Sequence, residues 1–468
     1  MNDDRFAEVA AAVLARVEPD AEERARLAAV VETLTERTNE VVADLPVEAE
    51  PLHVGSTARD TWIAGDRDVD LFVRFSTDLP RADLERLGLD VGHAVLPDGH
   101  EEYAEHPYVT GEVDGFAVDL VPCYAVDSAT EIRTAVDRTP FHTDYLKARL
   151  DAETTAEIRV FKQFLKGVGV YGSDLRTRGF SGYLTELLVL AFGDARSTLD
   201  AVSDWHPPVV FDPEEHGTRT FDDPLVVVDP TDPERNVAAV LSAENLARLQ
   251  HHARAVLADP AVEAFFPHPP APISAEAVRE HLRRRETTPV AVVFETPDVV
   301  DDDLYPQLRR SLSGVGDELD RRGFSVFRRA TFADSAPRGG APGDAGEAAP
   351  SKSVLLFELS VAELPAVECH EGPPVHVREH AAAFYETYAD DPSVYGPFVG
   401  GERYVVERER EFTSVRDLLE SDALFDVRLG TSVAASLRDG YDVVVGEDVA
   451  TLADAFGEAL SGYFDPRP

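Results

Sequence analysis

With 468 residues, the chain is too long for one hydrophobic core, because single cores stop growing at about 250–300 residues. We therefore expect roughly two to four domains. No apolar run approaches the roughly 18 residues of a membrane-spanning helix, and the acidic N-terminus argues against a signal peptide. Cys123 and Cys369 are too few for a disulfide framework or a cysteine zinc site, so the expected location is the cytoplasm.

The formal net charge of −44 combines abundant acid with very little lysine. Arginine supplies the positive charge apart from four lysines, Lys147, Lys162, Lys166 and Lys352. This composition is typical of halophiles that accumulate salt, although an acidic protein at ordinary salt remains an alternative. At about 1 M salt the Debye length is only about 3 Å, so the net charge does not exclude nucleic acid as a partner.

The first 150 residues predict a mixed α/β domain. Apolar positions at helical spacing favour a helix over Asp20–Leu45, and a strand then leads into a Gly-Ser turn. Alternating apolar residues predict a second strand over Asp68–Phe75. Two apolar runs on either side of Asp114 and Gly115 indicate a β-hairpin.

The middle of the chain returns to a helical pattern. Ala152–Val168 predicts one helix, and Ser181 is the expected N-cap of a following apolar helix. Segments rich in Pro, His and Asp between residues 205 and 233 predict loops and short strands.

A further α+β region begins near Pro289. A strand, a helix over Leu304–Arg322 and two more strands are predicted in that order. Residues 333–352, between the last two strands, have low complexity, and we expect no regular structure there. The remaining segments predict helix, strand and helix again.

Asp68 and Asp70 are the first candidate functional residues. Side chains alternate along a strand, so both carboxylates should lie on one face of the sheet and repel each other unless a cation lies between them. Mg²⁺ prefers such oxygen ligands and completes its shell with substrate phosphates. Asp119, inside the apolar run FAVDLVPCY, is the candidate third carboxylate. The alternative, in so acidic a chain, is a solvated acidic face.

Gly55 and Ser56 precede these aspartates. Glycine allows the backbone to approach a phosphate closely, and Ser56 would present its hydroxyl and backbone N–H at the start of a short helix reaching Trp62. Arg59 lies three residues further on and can face the same anion.

Residues 54–72 (VGSTARDTWIAGDRDVDLF) and 117–124 (AVDLVPCY) resemble the DNA polymerase β-like nucleotidyltransferase superfamily. Several further stretches narrow the resemblance to the archaeal, class I CCA-adding enzymes, which are tRNA nucleotidyltransferases: residues 137–146, 161–188, 229–242, 371–375 and 396–410. The 332–352 insertion and the abundant acid depart from that pattern without touching a motif.

The resemblance implies an α+β multidomain protein with an α/β nucleotidyltransferase head (1–150), a helical neck with the nucleobase-reading region (151–285), and an α+β body and tail that bind tRNA (286–468). It implies Mg²⁺ as the cofactor and a homodimer as the assembly. It also assigns the site residues: metal ligands Asp68, Asp70 and Asp119; triphosphate contacts Ser56, Arg59, Thr139, His142, Lys162 and Tyr171; and the base reader Arg235.

Physical reasoning supports several of these roles. Arg159, Lys162 and Lys166 fall at i, i+3 and i+7 on one helix face, and lysine binds phosphate well as a point charge. The alternative is a basic face in solvent. His142 could instead be a structural histidine, and Tyr171 could simply pack.

Arg235 would read the pairing edge of the incoming base. Cytosine and adenine both present an amino group beside a ring-nitrogen acceptor, whereas uracil and guanine present a carbonyl beside an N–H. A fixed guanidinium donor facing the ring nitrogen would therefore accept C and A and reject U and G. The alternative is an ordinary loop arginine.

The sequence thus predicts a cytoplasmic, Mg²⁺-dependent enzyme that uses CTP and ATP to add C, C and A to the acceptor end of tRNA, releasing pyrophosphate. One alternative is another template-independent RNA nucleotidyltransferase, such as a poly(A) or oligoadenylate synthetase. The other is a non-catalytic RNA-binding protein of the same fold, for which the loss of an aspartate would be the usual sign.

Overall fold

A computed structural model describes residues 2–103, 105–334 and 351–468. The chain forms two compact units, Met1–His268 with Pro468, and Pro269–Arg467. Most of the predicted low-complexity loop, residues 335–350, lies outside the described residues. Within the described ranges, every helix is too short or too polar to cross a bilayer.

The first unit begins with a five-stranded sheet flanked by helices, in the order β1-β2-β5-β4-β3. Strands β2 and β5 are parallel, and the other neighbours are antiparallel. The elements are α1 (Asn2–Val17), α2 (Ala21–Ala43), β1 (Ala49–Val54), α3 (Gly55–Ala58), β2 (Asp68–Phe75), α4 (Arg81–Val95), β3 (His100–Tyr103), β4 (Pro107–Val113) and β5 (Phe116–Tyr124).

The two faces of this sheet differ in what covers them. Val69, Leu71 and Val73 of β2 are buried in the larger core, where residues of α2 and α4 pack. Phe72 points to the opposite face, where it packs in a small cluster with Val54, Val121 and Cys123. Because side chains alternate along a strand, Asp68 and Asp70 lie on the face of Phe72. The larger core therefore anchors the strand while its other face presents the carboxylates.

The rest of the first unit is mainly helical, around a second core built from α1 and the helices that follow the sheet. Strands β6, β7 and β8 form a small three-stranded sheet, and in the sequence they come between α8 and α9. The elements are α5 (Thr139–Lys147), α6 (Ala152–Gly167), α7 (Gly182–Phe192), α8 (Ala195–Ser203), β6 (Val209–Phe211), β7 (Leu225–Asp229), β8 (Asp232–Asn236) and α9 (Ala243–Ala258), with short 3₁₀ helices at Ala135–Arg138 and Val262–Phe265.

The second unit contains a four-stranded antiparallel sheet, β10-β11-β9-β15, and a three-stranded antiparallel sheet, β12-β14-β13. Its elements are α10 (Ala275–Arg285), β9 (Thr288–Glu295), α11 (Asp301–Arg322), β10 (Val326–Ala333), β11 (Lys352–Leu359), β12 (Val367–Pro374), α12 (Arg378–Tyr388), β13 (Val394–Gly400), β14 (Arg403–Glu409), α13 (Val415–Leu419), α14 (Thr431–Asp439), β15 (Tyr441–Val445) and α15 (Ala453–Phe464), with 3₁₀ helices at Asp422–Asp426 and Gly446–Leu452. The expected α+β multidomain fold is confirmed.

The structure of the first unit confirms the hairpin and the helix N-cap that local sequence patterns predict. The hairpin between β4 and β5 turns at Asp114 and Gly115, whose φ angles of 51° and 78° are those of the turn that matches the twist of the strands. Ser181 caps α7 by accepting a hydrogen bond from the backbone N–H of Leu184 at 3.1 Å. The helix expected to reach Trp62 is an exception: α3 ends at Ala58, and Asp60 adopts a positive φ of 56°, which a helix cannot continue through.

Candidate active site

The carboxylates predicted from the sequence meet across two parallel strands. The register of β2 and β5 pairs Asp70 directly with Asp119, and Asp68 lies two residues before Asp70 on the same face. All three therefore lie on one sheet face, beside the turn that joins β1 to α3. The solvated-face alternative does not fit Asp70 and Asp119, since both are partly buried, whereas Asp68 is exposed.

Two of these carboxylates, Asp70 and Asp119, have a raised pKa. Burial raises the pKa of Asp70 to about 6, the charges of Asp119 and Asp68 add to this, and Arg59 opposes it. Burial also raises the pKa of Asp119, against a hydrogen bond from Thr110. A divalent cation would relieve this repulsion, so the oxygen donor set fits Mg²⁺. Within the described residues, no three His, Cys, Asp or Glu side chains are already arranged as a metal shell.

Gly55 is required where β1 turns into α3. Its φ is 79°, and a Cβ atom at this position would lie 1.9 Å from Oδ2 of Asp70. Only glycine combines that backbone conformation with this close approach. Ser56 follows at the start of α3, so its position beside the carboxylates depends on a turn that contacts Asp70.

Arg59 is held by a buried partner that the sequence analysis did not identify. Its guanidinium contacts both carboxylate oxygens of Glu186 on α7, with Nε at 3.1 Å and Nη2 at 2.9 Å, and Nη1 donates to Thr143 at 3.3 Å. The Arg59 side chain is 7% exposed and that of Glu186 is 2% exposed. Glu186 also accepts a hydrogen bond from the hydroxyl of Thr61. The arginine is therefore fixed next to Ser56.

The basic face of α6 is not a solvated surface. Lys162 is only 5% exposed, and its Nζ lies 3.0 Å from Asp66, which also contacts Lys166 at 2.5 Å. Arg159 is buried and has a structural role, because it donates to the backbone carbonyls of Trp62, at 3.0 Å, and Asp60. The alternative of a basic face in solvent is therefore wrong for Arg159 and Lys162.

Tyr171 lies against the same lysines. The Nζ atoms of Lys162 and Lys166 are 5.4 and 5.6 Å from the centre of its ring. Burial raises the pKa of Tyr171, and the charges of Glu186 and Asp66 raise it further. Four of the predicted residues, Ser56, Arg59, Lys162 and Tyr171, are thus placed around the segment that joins α3 to β2.

A second cluster forms around Asp229, at the end of β7. Nε2 of His142 donates to Oδ2 of Asp229 at 2.8 Å, and Nη1 of Arg235 donates to the same oxygen at 2.7 Å. The His142 ring also stacks on Tyr183, with ring centres 3.8 Å apart. Two residues predicted for different tasks, at the triphosphate and at the base, therefore share one carboxylate.

Arg235 lines an open cleft of about 710 Å³ that Arg138, Arg219, Phe221 and Asp232 also line. Arg138 is paired with Asp232 at 3.0 Å. Thr139 is the next residue, at the start of α5, which carries His142 three residues later. The cleft is large enough to admit a nucleobase and is bordered by hydrogen-bond donors and acceptors.

Sequence reasoning missed three acidic residues of this region: Asp66, Glu186 and Asp229. Each one pairs with predicted cationic site residues. Glu186 stands in the apolar helix GYLTELLVLAF, and Asp229 ends the apolar strand LVVVD. An acidic residue inside an apolar run was the signal that identified Asp119, and it could have identified these two as well.

Three families of known proteins match successive parts of the chain. Residues 36–142 match the nucleotidyltransferase domain family, residues 156–266 match the second domain of tRNA nucleotidyltransferase, and residues 285–338 and 341–446 match the C-terminal domain of the CCA-adding enzyme. These matches follow one another along most of the chain.

Relatives with the name CCA-adding enzyme align over nearly the full length. The protein of Haloarcula marismortui is 59% identical over 99% of this chain and 100% of its own, and that of Halorubrum lacusprofundi is 60% identical over 98% and 99%. The protein of Methanoregula boonei is 41% identical over 96% of this chain and 92% of its own. The chain therefore belongs to the CCA-adding enzymes, the tRNA nucleotidyltransferases that use CTP and ATP to build the 3′-terminal CCA of tRNA.

Proposed function

We propose that Asp68, Asp70 and Asp119 hold two Mg²⁺ ions for nucleotidyl transfer. The observation that carries this proposal is the β2–β5 register, which sets Asp70 beside Asp119 with Asp68 on the same face. When bound, the ions would activate the 3′ hydroxyl of tRNA and stabilise the leaving pyrophosphate. The hydroxyl attacks the α-phosphorus of the nucleotide, and the bond between the α-phosphorus and the bridging oxygen breaks.

The triphosphate would lie between the carboxylates and α6. Ser56 offers a hydroxyl and a backbone N–H beside Gly55, and Lys162 offers a positive charge that Asp66 already orients. Arg59 and Tyr171 complete this side, with Arg59 held rigidly by Glu186. Thr139 and His142, on α5, are the proposed contacts further along the nucleotide.

Arg235 is the proposed base reader. It is 33% exposed, it lines the cleft, and one of its terminal nitrogens is bound to Asp229. A donor fixed in this way suits the ring nitrogens N3 of cytosine and N1 of adenine, which occupy equivalent places on the pairing edge. One cleft would then serve both nucleotides.

The larger organisation is also a proposal. We assign residues 1–150 to the catalytic head, 151–285 to the neck with the nucleobase-reading region, and 286–468 to the body and tail that bind tRNA. We further propose a homodimer, located in the cytoplasm. The family resemblance supports the assembly. The acidic, lysine-poor composition of this chain and its 59% identity to a protein of Haloarcula marismortui support a salt-rich interior as the working environment.

The test uses tRNA that ends before C74 or before A76, with each of the four nucleotides supplied singly and Mg²⁺ present. The intact chain should add C to the first substrate and A to the second. Arg235→Ala should lower both rates by about ten- to a hundredfold, as expected for the loss of a charged hydrogen bond, and should relax the rejection of UTP and GTP. An unchanged ratio of CTP to UTP incorporation would remove Arg235 from the base site.

A further inference from the structure

Asp229 is a fully buried carboxylate without an assigned task. Its side chain is 0% exposed at the end of β7, where an unpaired charge would be strongly unfavourable. Burial alone would raise the pKa of Asp229, but the hydrogen bond and charge of His142, the backbone N–H of Thr231 and the charge of Arg235 outweigh it, so the pKa falls below its ordinary value. The group is therefore an anion held in place.

The hydrogen bonds divide between its two oxygens. Oδ1 accepts from the backbone N–H of Thr231 at 2.9 Å, from the Thr231 hydroxyl at 2.8 Å and from the Tyr183 hydroxyl at 3.3 Å. Oδ2 accepts from His142 at 2.8 Å and from Arg235 at 2.7 Å. Neutral donors thus orient the carboxylate, and its other oxygen is turned to the two residues assigned to the nucleotide.

This contact limits how the Arg235 guanidinium can rotate. The group is planar, with five N–H donors in a fixed fork, so binding one terminal nitrogen sets the direction of the others. Among the described residues, Asp229 is the one ion-pair partner of Arg235. Arg235 itself lines the cleft, so the N–H groups that do not bind Asp229 lie at the border of the cleft.

We infer that Asp229 is a positioning residue for nucleotide selection, acting by fixing the direction in which Arg235 presents its donors to the cleft. This inference rests on the proposed base-reading role of Arg235. A guanidinium that could rotate freely would also find the carbonyl oxygens of uracil and guanine, which accept hydrogen bonds. A guanidinium held in one orientation faces a ring nitrogen, which accepts in cytosine and adenine and donates in uracil and guanine.

The decisive experiment compares Asp229→Asn with the parent chain, in molar KCl with Mg²⁺, on tRNA ending before C74. Asparagine keeps the size of the side chain but removes its charge and replaces one acceptor with a donor. The ratio of CTP to UTP incorporation, each measured as kcat/KM, should fall by about tenfold or more. An unaltered ratio in a folded variant would overturn the inference, whatever the change in total rate.

A milder variant covers the case in which Asp229→Asn does not fold. Thr231→Val keeps the branched shape and the backbone N–H but deletes the hydroxyl bond to Oδ1. The carboxylate then keeps its charge and loses part of its orientation, so the CTP/UTP ratio should fall in the same direction by a smaller factor. A Thr231→Val ratio equal to that of the parent would count against positioning by Asp229.

The second unit provides a matched control for a purely structural effect. Glu358 is also a fully buried carboxylate, bound by Arg285 at 2.6 and 2.9 Å, by Thr287 and by Tyr463 at 3.1 Å. Glu358→Gln should lower the melting temperature and leave the CTP/UTP ratio unchanged. An equal drop in the CTP/UTP ratio for Glu358→Gln and Asp229→Asn would mean that any loss of a buried charge lowers selectivity by destabilising the fold. That result would overturn the inference.

The double variant separates this inference from the proposed function. If Asp229 acts through Arg235, then Asp229→Asn added to Arg235→Ala should cause no further loss of selectivity. Unaltered selectivity in Arg235→Ala alone would refute the base-reading role itself. Reduced selectivity in Arg235→Ala, with a parental ratio in Asp229→Asn, would refute only the positioning role.

Discussion

Three cationic side chains proposed for the site are each paired with a carboxylate: Arg59 with Glu186, Lys162 with Asp66 and Arg235 with Asp229. Arg59, Lys162 and Arg235 each contact a carboxylate within 3.0 Å. Asp68 and Asp70, by contrast, lie beside a third carboxylate, and the pKa of Asp70 rises to about 6. Paired cations need no further partner to be stable, whereas the carboxylates gain from a bound cation. This difference supports our proposal that the three carboxylates bind metal.

Removing one carboxylate should separate catalysis from stability. Asp68→Ala or Asp70→Ala should reduce both CMP and AMP addition by about a thousandfold or more, because the metal shell is incomplete, while tRNA binding stays nearly intact. Rates close to the parent's in Mg²⁺ for either alanine variant would argue against the two-metal site.

Asp70→Asn should raise the melting temperature at pH 8 in metal-free buffer. The folded-state pKa of Asp70 lies above its unfolded value, so ionisation of this carboxyl at pH 8 destabilises the fold.

Two basic residues on α6 should behave differently although they lie one turn apart. Lys162→Ala should raise the concentration of CTP and of ATP needed for half-maximal rate by about ten- to a hundredfold, because a charge at the triphosphate is lost. Arg159→Met should mainly lower the melting temperature, because Arg159 binds the backbone carbonyls of Trp62 and Asp60. A Lys162 effect confined to tRNA affinity would place this helix face on the RNA side.

At the level of elements, α7 supports both clusters. Tyr183 and Glu186 lie three residues apart on this helix and therefore on one face. Tyr183 stacks on His142 and contacts Asp229, whereas Glu186 holds Arg59 and Thr61. The proposed triphosphate and base contacts are thus linked through one apolar helix, whose buried side fixes its position.

The turn between β1 and α3 offers a sharp test. Gly55→Ala would place a methyl group where Oδ2 of Asp70 lies and would strain a φ of 79°, so nucleotide addition should fall by at least about tenfold. Gly193→Ala, at the end of α7, is the matched control, because its φ is 95° and, apart from its own chain neighbours, no heavy atom lies within 4 Å of the added Cβ. Both variants should melt earlier, but only the first should lose activity. Equal activities would mean that the Gly55 contact does not position Asp70.

At the scale of the whole molecule, we expect the formal charge of −44 to govern how stability depends on salt. Repulsion among the acidic residues should destabilise the fold at low ionic strength, so the melting temperature should rise from low to molar KCl. Sucrose is a suitable control, because it favours the compact state without screening charge. A melting temperature that does not change between low and molar KCl would refute the halophilic interpretation.

The same salt weakens contacts with phosphate, because the counterions released on binding enter a more concentrated solution and gain less entropy. Recognition of tRNA must then depend on shape and directed hydrogen bonds. Arginine suits that task better than lysine, since its planar fork forms bidentate contacts. This agrees with the composition of the chain, in which arginine supplies the positive charge apart from four lysines.

Local sequence patterns by themselves determined much of this protein. The alternation of apolar residues along Asp68–Phe75 placed two carboxylates on one face of a strand. Asp114 and Gly115 predicted the turn of a hairpin, and Ser181 predicted the first residue of a helix. These features were readable because each depends on residues that are neighbours in the chain, where strand period, turn chemistry and capping act directly. The motifs also indicated the family, which the comparisons confirm.

Only the tertiary structure decided which side chains meet. Arg59 and Glu186 are 127 residues apart in the chain, and His142 and Asp229 are 87 apart, so no local pattern could pair them. The apolar strand that Asp229 ends could have singled this residue out, but only the folded chain shows that its partners are His142 and Arg235. An unpaired charge is unfavourable only when it is buried, and these residues become buried only when distant segments pack together. The tertiary structure therefore determines which charged side chains pair.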